Sequence, residues 1–140
     1  MKPFHYRKRI EFFETDAVGI VHFSNYFRIM EMAEHAWFRS LGTSVVHLGE
    51  DMHISWPRVK ADCTFYGPLK FEDEVDVAVS MAEMRHKSMV FHHTLKRVSD
   101  GVVVAQGEIV VVCVEMTHEG MKSMPIPDFM RALIQDREDS

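Results

Sequence analysis

Residues 14–42 read ETDAVGIVHFSNYFRIMEMAEHAWFRSLG, an acid, a glycine turn and then a long amphipathic helix, and the rest of the chain is organised around them. From Phe23 onward the apolar residues Phe23, Tyr26, Phe27, Met30, Ala33, Trp37 and Leu41 recur at spacings of three and four. That is the helical period, so one face of the helix must be buried. Ser24, or the backbone just before it, is placed to cap the start, and Gly42 ends the run with a residue that tolerates positive φ. The N-terminus of this helix follows closely on Asp16, so unpaired N–H groups near His22, Phe23 and Ser24 face whatever sits beside that carboxylate. An acid and an oxyanion-type donor set are thereby juxtaposed.

On either side of this stretch the chain reads as sheet. Phe4 to Phe12 alternates Phe4, Tyr6, Ile10 and Phe12 with His5, Arg7, Arg9 and Glu11, the period of a half-buried strand. After the helix, a polar segment through Gly49, Glu50 and Asp51 leads to an extended run from Ile54 to Tyr66. Pro57 cannot donate to a ladder, so its neighbourhood is expected to be an edge or a bulge. Glu74 to Met84 and Ser88 to Val98 form a hairpin about the basic turn Arg85, His86 and Lys87. Ser99-Asp100-Gly101 signals a second hairpin, and Val102 to Met116 follows as a long strand with a bulge expected at Gln106-Gly107-Glu108. Pro127 to Arg137 closes the chain as a short helix.

The order β-α-β-β-β-β predicts an α+β fold, one long helix on a curved antiparallel sheet of about five strands, in a single domain spanning 1–140. The far sheet face is expected to carry apolar residues with no second long helix to cover them, which points to a homo-oligomer, a dimer or homotetramer. Glu34 lies in the middle of the apolar stripe, where a buried carboxylate demands a structural partner, an Arg or a His. Cys63 and Cys113 fall in strand-like runs and read as reduced core thiols. His92 and His93 point to opposite faces of one strand, and no histidine pair has helical metal-ligand spacing.

A formal charge of −5 argues against a nucleic-acid backbone as partner. No apolar run has the length that spans a bilayer, and the N-terminal residues lack the apolar core of a secretory signal, so a cytoplasmic protein is expected.

The segment E-T-D-A-V-G-I-V-H-F-S-N-Y, with the helix and the later F-Y-G-P-L-K-F-E-D-E-V, resembles the hydroxybenzoyl-CoA thioesterase group of hot-dog-fold proteins. The resemblance covers most of the chain. It implies that Asp16 is the catalytic carboxylate and that the Phe23 backbone N–H binds the thioester oxygen. Gly19, His22 and Tyr26 are then expected at the substrate, and Glu31 stands where the family places an Asp against the ring hydroxyl of its substrate. Arg85, Lys87 and Ser88 are the counterparts of residues that hold the nucleotide end of CoA. The activity implied is acyl-CoA hydrolysis with no metal or redox cofactor, water or Asp16 itself attacking the carbonyl. Two rival readings use the same fold: hydrolysis of a carrier-protein-bound acyl group, and a non-catalytic acyl-CoA binding module in which Asp16 merely caps amides.

Overall fold

The computed structural model describes residues 2–44, 47–48 and 53–139, so the segment through Gly49, Glu50 and Asp51 lies outside the described residues. The expected helix, α1 (Asn25–Ser40), buries Tyr26, Ile29, Met30, Ala33, Trp37 and Phe38 on one side. It lies on five antiparallel strands: β1 (Phe4–Arg9), β4 (Arg58–Phe65), β5 (Glu74–Met84), β6 (Ser88–Arg97) and β7 (Val103–Val112). Their spatial order is β1-β5-β6-β7-β4. The core forms where α1 meets the inward side chains of these strands, among them Val75, Val77, Val79, Phe91, Leu95 and Ile109. C-terminal α2 (Asp128–Asp139) adds Met130 and Ile134 to it.

A second antiparallel sheet was not anticipated. It joins β2 (His47–Leu48), β3 (His53–Ser55), β8 (Val114–Thr117) and β9 (Gly120–Ser123) in that order. Two runs read as continuous strands are therefore divided between sheets. Ile54–Tyr66 breaks at Trp56-Pro57, where proline has no N–H to give a ladder, and Val102–Met116 breaks at Cys113, whose N–H turns aside to the Lys87 carbonyl at 2.8 Å.

The bulge anticipated near Pro57 is present as a register shift between Arg58 and Lys60 against β7. One expected at Gln106–Glu108 is not. Both ladders of β7 run through those residues in unbroken register, and the irregularity falls at Leu95/Lys96 instead. Gly107 serves close packing: a Cβ there would stand 2.5 Å from the Asp62 carbonyl and 2.6 Å from Met30 Cε. The Asp100-Gly101 hairpin is as read, with Gly101 at φ +72°.

The first strand ends at Arg9, and Phe12–Glu14 forms a 3-10 turn. Phe12, expected inside, is 73% exposed, while Glu14 is buried. The cause is polar: the Glu14 carboxylate accepts the Glu11 N–H at 2.7 Å and pairs with Lys8 Nζ at 3.0 Å, curling the chain at that point. Phe23 is likewise 65% exposed and does not belong to the buried stripe.

The sheet face away from α1 also differs from expectation. Apart from the opposed Val90 and Val110 it presents Lys60, Asp62, His92, Thr94, Gln106 and Glu108, tied by Lys60–Glu108 and His92–Glu108 pairs at 3.1 and 2.9 Å. That face does not need an apolar cover. Inside, Glu34 is 1% exposed and has both kinds of partner foreseen for it, Arg58 Nη2 at 2.8 Å and His93 Nε2 at 3.7 Å. Both cysteines are free. No helix among the described residues is long and apolar enough to cross a membrane.

Candidate active site

The loop between the 3-10 turn and α1 is held by its own backbone. Asp16 N–H donates to the Ile20 carbonyl at 2.9 Å, Gly19 N–H donates to the Asp16 carbonyl at 3.0 Å, and Gly19 takes φ +93°, a conformation that glycine adopts at no steric cost. Val21 N–H then reaches the Leu69 carbonyl at 2.8 Å, fixing the loop to the turn after β4. The Glu14 carbonyl accepts both His22 N–H, at 3.0 Å, and Asn25 Nδ2, at 2.8 Å, so the start of α1 is anchored to the buried turn.

Asp16 Oδ1 accepts Val18 N–H at 2.9 Å and, more weakly, Ile20 N–H at 3.5 Å. Its Oδ2 has no partner among the described residues. Ser24 occupies the cap position of α1, but its side chain makes no capping bond; its hydroxyl lies 2.7 Å from His22 Nδ1. Ser24 is thus the cap residue, as expected, but without a side-chain capping bond. Diverting that hydroxyl leaves the helix start under-capped, and Phe23 N–H donates to no group among the described residues.

Asp16, His22, Phe23 and Tyr26 line one cleft of about 690 Å³. Phe65, Gly67 and Pro68 close its other side, and Phe65 meets Tyr26 edge to face at 4.8 Å. Burial, with Cys63 adding and Arg97 opposing, raises the Tyr26 phenol above its ordinary pKa. Phe65 and Gly67 have no site role in the sequence analysis; their signal is the Phe-Tyr-Gly-Pro turn, which places the end of a strand opposite the start of the helix. Gly19 does not line the cleft, and acts by making the turn that presents Asp16.

Four expected contacts lie elsewhere in the subunit. Glu31 is exposed on α1 and sits 3.7 Å from His35 one turn on. Arg85, Lys87 and Ser88 occupy the β5–β6 hairpin tip, while the Asp16 loop adjoins the opposite end of β5, where Ile10 N–H bonds the Asp73 carbonyl at 2.8 Å. Eleven residues of strand separate the two ends, about 35 Å. Arg85 is moreover paired with Glu83 at 3.1 Å.

A polar carboxylate with one free oxygen, an uncommitted helix-terminal amide and an apolar wall suit addition to a carbonyl whose oxygen becomes negative. Residues 10–134 match the family described as the Thioesterase-like superfamily. The 4-hydroxybenzoyl-CoA thioesterase of Pseudomonas sp. (strain CBS-3) is 30% identical over 100 residues, 68% of this chain and 69% of that protein. Among solved structures, a gentisyl-coenzyme A thioesterase is 33% identical with TM-score 0.79, covering 91% of this chain and 98% of its own. A 1,4-dihydroxy-2-naphthoyl-CoA thioesterase from Synechocystis superposes with TM-score 0.87 over 97% of this chain and 98% of its own at 19% identity, a likeness of fold.

Proposed function

The chain belongs to the Thioesterase-like superfamily, and on that premise we propose that it hydrolyses an acyl-CoA thioester to the free acid and the CoA thiol. The observation that carries this reading is the single cleft shared by Asp16, with one carboxylate oxygen free, and by the uncommitted Phe23 amide at the start of α1. In the reaction a C–O bond forms to the carbonyl as the C–S bond breaks, and the proton released by water ends on the thiolate. Asp16 serves either as the base that takes that proton or as a nucleophile whose mixed anhydride water then opens. The Phe23 N–H and the positive end of α1 stabilise the oxyanion in both routes.

Two expectations from the sequence enter this proposal in altered form. A homo-oligomer is supported by the outer edge of β4, not by an apolar sheet face: β4 ends the five-stranded sheet with one backbone edge unpaired among the described residues, and Val59 on it is 63% exposed. Arg85, Lys87 and Ser88 can then hold CoA phosphates only at the cleft of another copy, because their own subunit's cleft lies a strand length away.

Release of free thiol from a panel of short, long and aryl acyl-CoAs tests the activity, and the same acyl groups on a carrier protein test the nearest alternative. Saturable binding of every ester without thiol release would replace the hydrolase with a binding module.

A further inference from the structure

The tip of the β5–β6 hairpin is held from outside its own strands. The segment entering α2 docks on the core through buried Ile126, Met130 and Ile134. Arg131 stands one residue past Met130, turned about 100° around the helix from that buried side chain. A single nitrogen of its guanidinium, Nη2, reaches two tip carbonyls, Arg85 at 2.7 Å and His86 at 2.9 Å. That nitrogen carries two hydrogens, one for each oxygen. Ile126 N–H adds a second bond to the His86 carbonyl at 2.9 Å, and Cys113 N–H holds the Lys87 carbonyl at 2.8 Å. Three successive carbonyls of the tip are thereby tied to the chain from Cys113 onward.

A trans peptide unit is planar, with its N–H opposed to its C=O. Turning the Arg85 and His86 carbonyls onto Arg131 therefore turns the N–H groups of His86 and Lys87 away from it, toward solvent. Both residues are exposed, and neither amide donates to any group among the described residues. Backbone amides presented side by side are fixed partial positive charges that favour an anion. Lys87 adds an ammonium that pairs with no carboxylate among the described residues, while Arg85 is shared with Glu83 at 3.1 Å. The two amides keep this orientation only as long as the opposite ends of their peptide units are gripped, and Arg131 is the one side chain that grips both.

We propose that Arg131 is a positioning residue: without touching the substrate, it sets the two peptide units whose N–H groups bind a phosphate of CoA at the hairpin tip. This rests on the hydrolase reading above, in which Arg85, Lys87 and Ser88 meet the CoA phosphates. Two substrates isolate the effect, an acyl-CoA and the S-acyl pantetheine of the same acid, which carries the same thioester and no phosphate. Arg131→Met gives up both carbonyl bonds while keeping an extended side chain. It should raise KM for the acyl-CoA at least about fivefold and leave kcat within about twofold, because a remote contact is made in ground and transition states alike. The pantetheine ester should be turned over as by wild type, which also shows the fold intact. Arg131→Lys, an ammonium with hydrogens for both carbonyls, should restore most of the acyl-CoA KM. Calorimetric titration with CoA alone should show a Kd weakened by a similar factor in Arg131→Met. In the wild type itself, the amide NMR signals of His86 and Lys87 should shift with CoA and stay in place with pantetheine.

Equal losses on the two esters in Arg131→Met would mean that Arg131 only steadies the fold, and would overturn the proposal. An unchanged acyl-CoA KM and CoA Kd in that variant does the same. Equal KM for the two esters in wild type shows that the nucleotide is not held, which overturns the positioning role and leaves the hydrolase standing. Signals of His86 and Lys87 unmoved by CoA overturn the proposal whether or not the variants fold. Absence of thiol release from both esters removes the hydrolase, and a CoA Kd that still weakens in Arg131→Met then sustains the positioning role in a binding module.

Discussion

Arg58 Nη2 approaches Glu34 Oε2 to 2.8 Å because a bulge turns Arg58 across the sheet. Without the extra residue at Val59, Arg58 would share the face of Lys60 and Asp62 and point away from α1. Proline and bulge thus act together: Pro57 ends the preceding ladder, the bulge reverses the side-chain parity, and a guanidinium enters the core opposite a carboxylate that burial disfavours. His93 approaches the same carboxylate from β6 at 3.7 Å.

The first prediction concerns pH. Burial raises Glu34 from 4.5 to about 7, while burial and then Arg58 lower His93 from 6.5 to about 4. The folded chain binds the Glu34 proton more tightly than the unfolded chain, so this group's contribution falls as pH rises from 4.5 to 7. It resists protonating His93, so that contribution grows as pH rises from 4 to 6.5. Over the shared window the slopes oppose and the wild type should be nearly flat. Glu34→Gln should uncover a rise in stability with pH, and His93→Gln a fall, each approaching about 1.4 kcal/mol per pH unit. Urea midpoints between pH 4 and 7.5, taken as differences from wild type, read both signs. Slopes of the same sign in the two variants would mean that the groups are buried as an ion pair.

Glu72 gives a second, simpler test. It is exposed and the only non-glycine residue among those described with positive φ, at 72°. Its backbone N–H is held to the Ile10 carbonyl at 3.0 Å, so the turn cannot relax freely. Left-handed backbone costs an ordinary L-residue roughly 1–2 kcal/mol, and asparagine tolerates it better. Glu72→Asn should therefore raise stability by about 0.5–1 kcal/mol, seen as a higher urea midpoint at unchanged slope. A lower midpoint would show that the glutamate side chain makes a contribution its exposure conceals.

How much of this was open to sequence depends on which force acted. Helical spacing alone located α1, and the demand of a buried charge anticipated the partners of Glu34. Proline's missing donor marked the bulge. What stayed hidden were polar decisions that override apolar pattern: the Glu14 carboxylate, bonded to Glu11 and Lys8, curls the chain and leaves Phe12 outside where alternation put it inside. Of the site, Asp16, His22, Phe23 and Tyr26 come together as read, because one loop and one helix start carry them all. Phe65 was out of reach, since only the tertiary fold brings the end of β4 alongside the start of α1.

Gly107 looked like a strand interruption, and its actual role supplies the third prediction. Gly107→Ala places a methyl 2.5 Å from a backbone oxygen and 2.6 Å from Met30 Cε. Methionine can yield, but the Asp62 carbonyl belongs to the β4 ladder and cannot. Overpacking of this kind costs roughly 1–3 kcal/mol, and shortening Met30 to Ala in the same chain should not recover it. Full recovery in that double variant would place the clash on Met30 alone.

Asp16→Asn tests the proposed chemistry most directly. The amide oxygen can still accept the Val18 N–H that Asp16 Oδ1 now takes at 2.9 Å, so the loop should keep its shape while the negative charge is lost. Hydrolysis should fall by at least about two orders of magnitude in kcat, as expected when a base or nucleophile is removed. Substrate Kd should change little, because the carboxylate acts on the carbonyl and has no part in holding the nucleotide. Single turnover of wild type in isotopically labelled water then divides the two routes. Label in Asp16 requires an acyl-aspartyl anhydride opened by water at the Asp16 carbonyl, and no general-base path can place it there. Should Asp16→Asn hydrolyse acyl-CoA near the wild-type rate, Asp16 would be a turn residue and the helix-terminal amide would have to act with another acid. The cleft offers no second carboxylate among its described lining residues, so that result would shift the reading toward an acyl-CoA binding module.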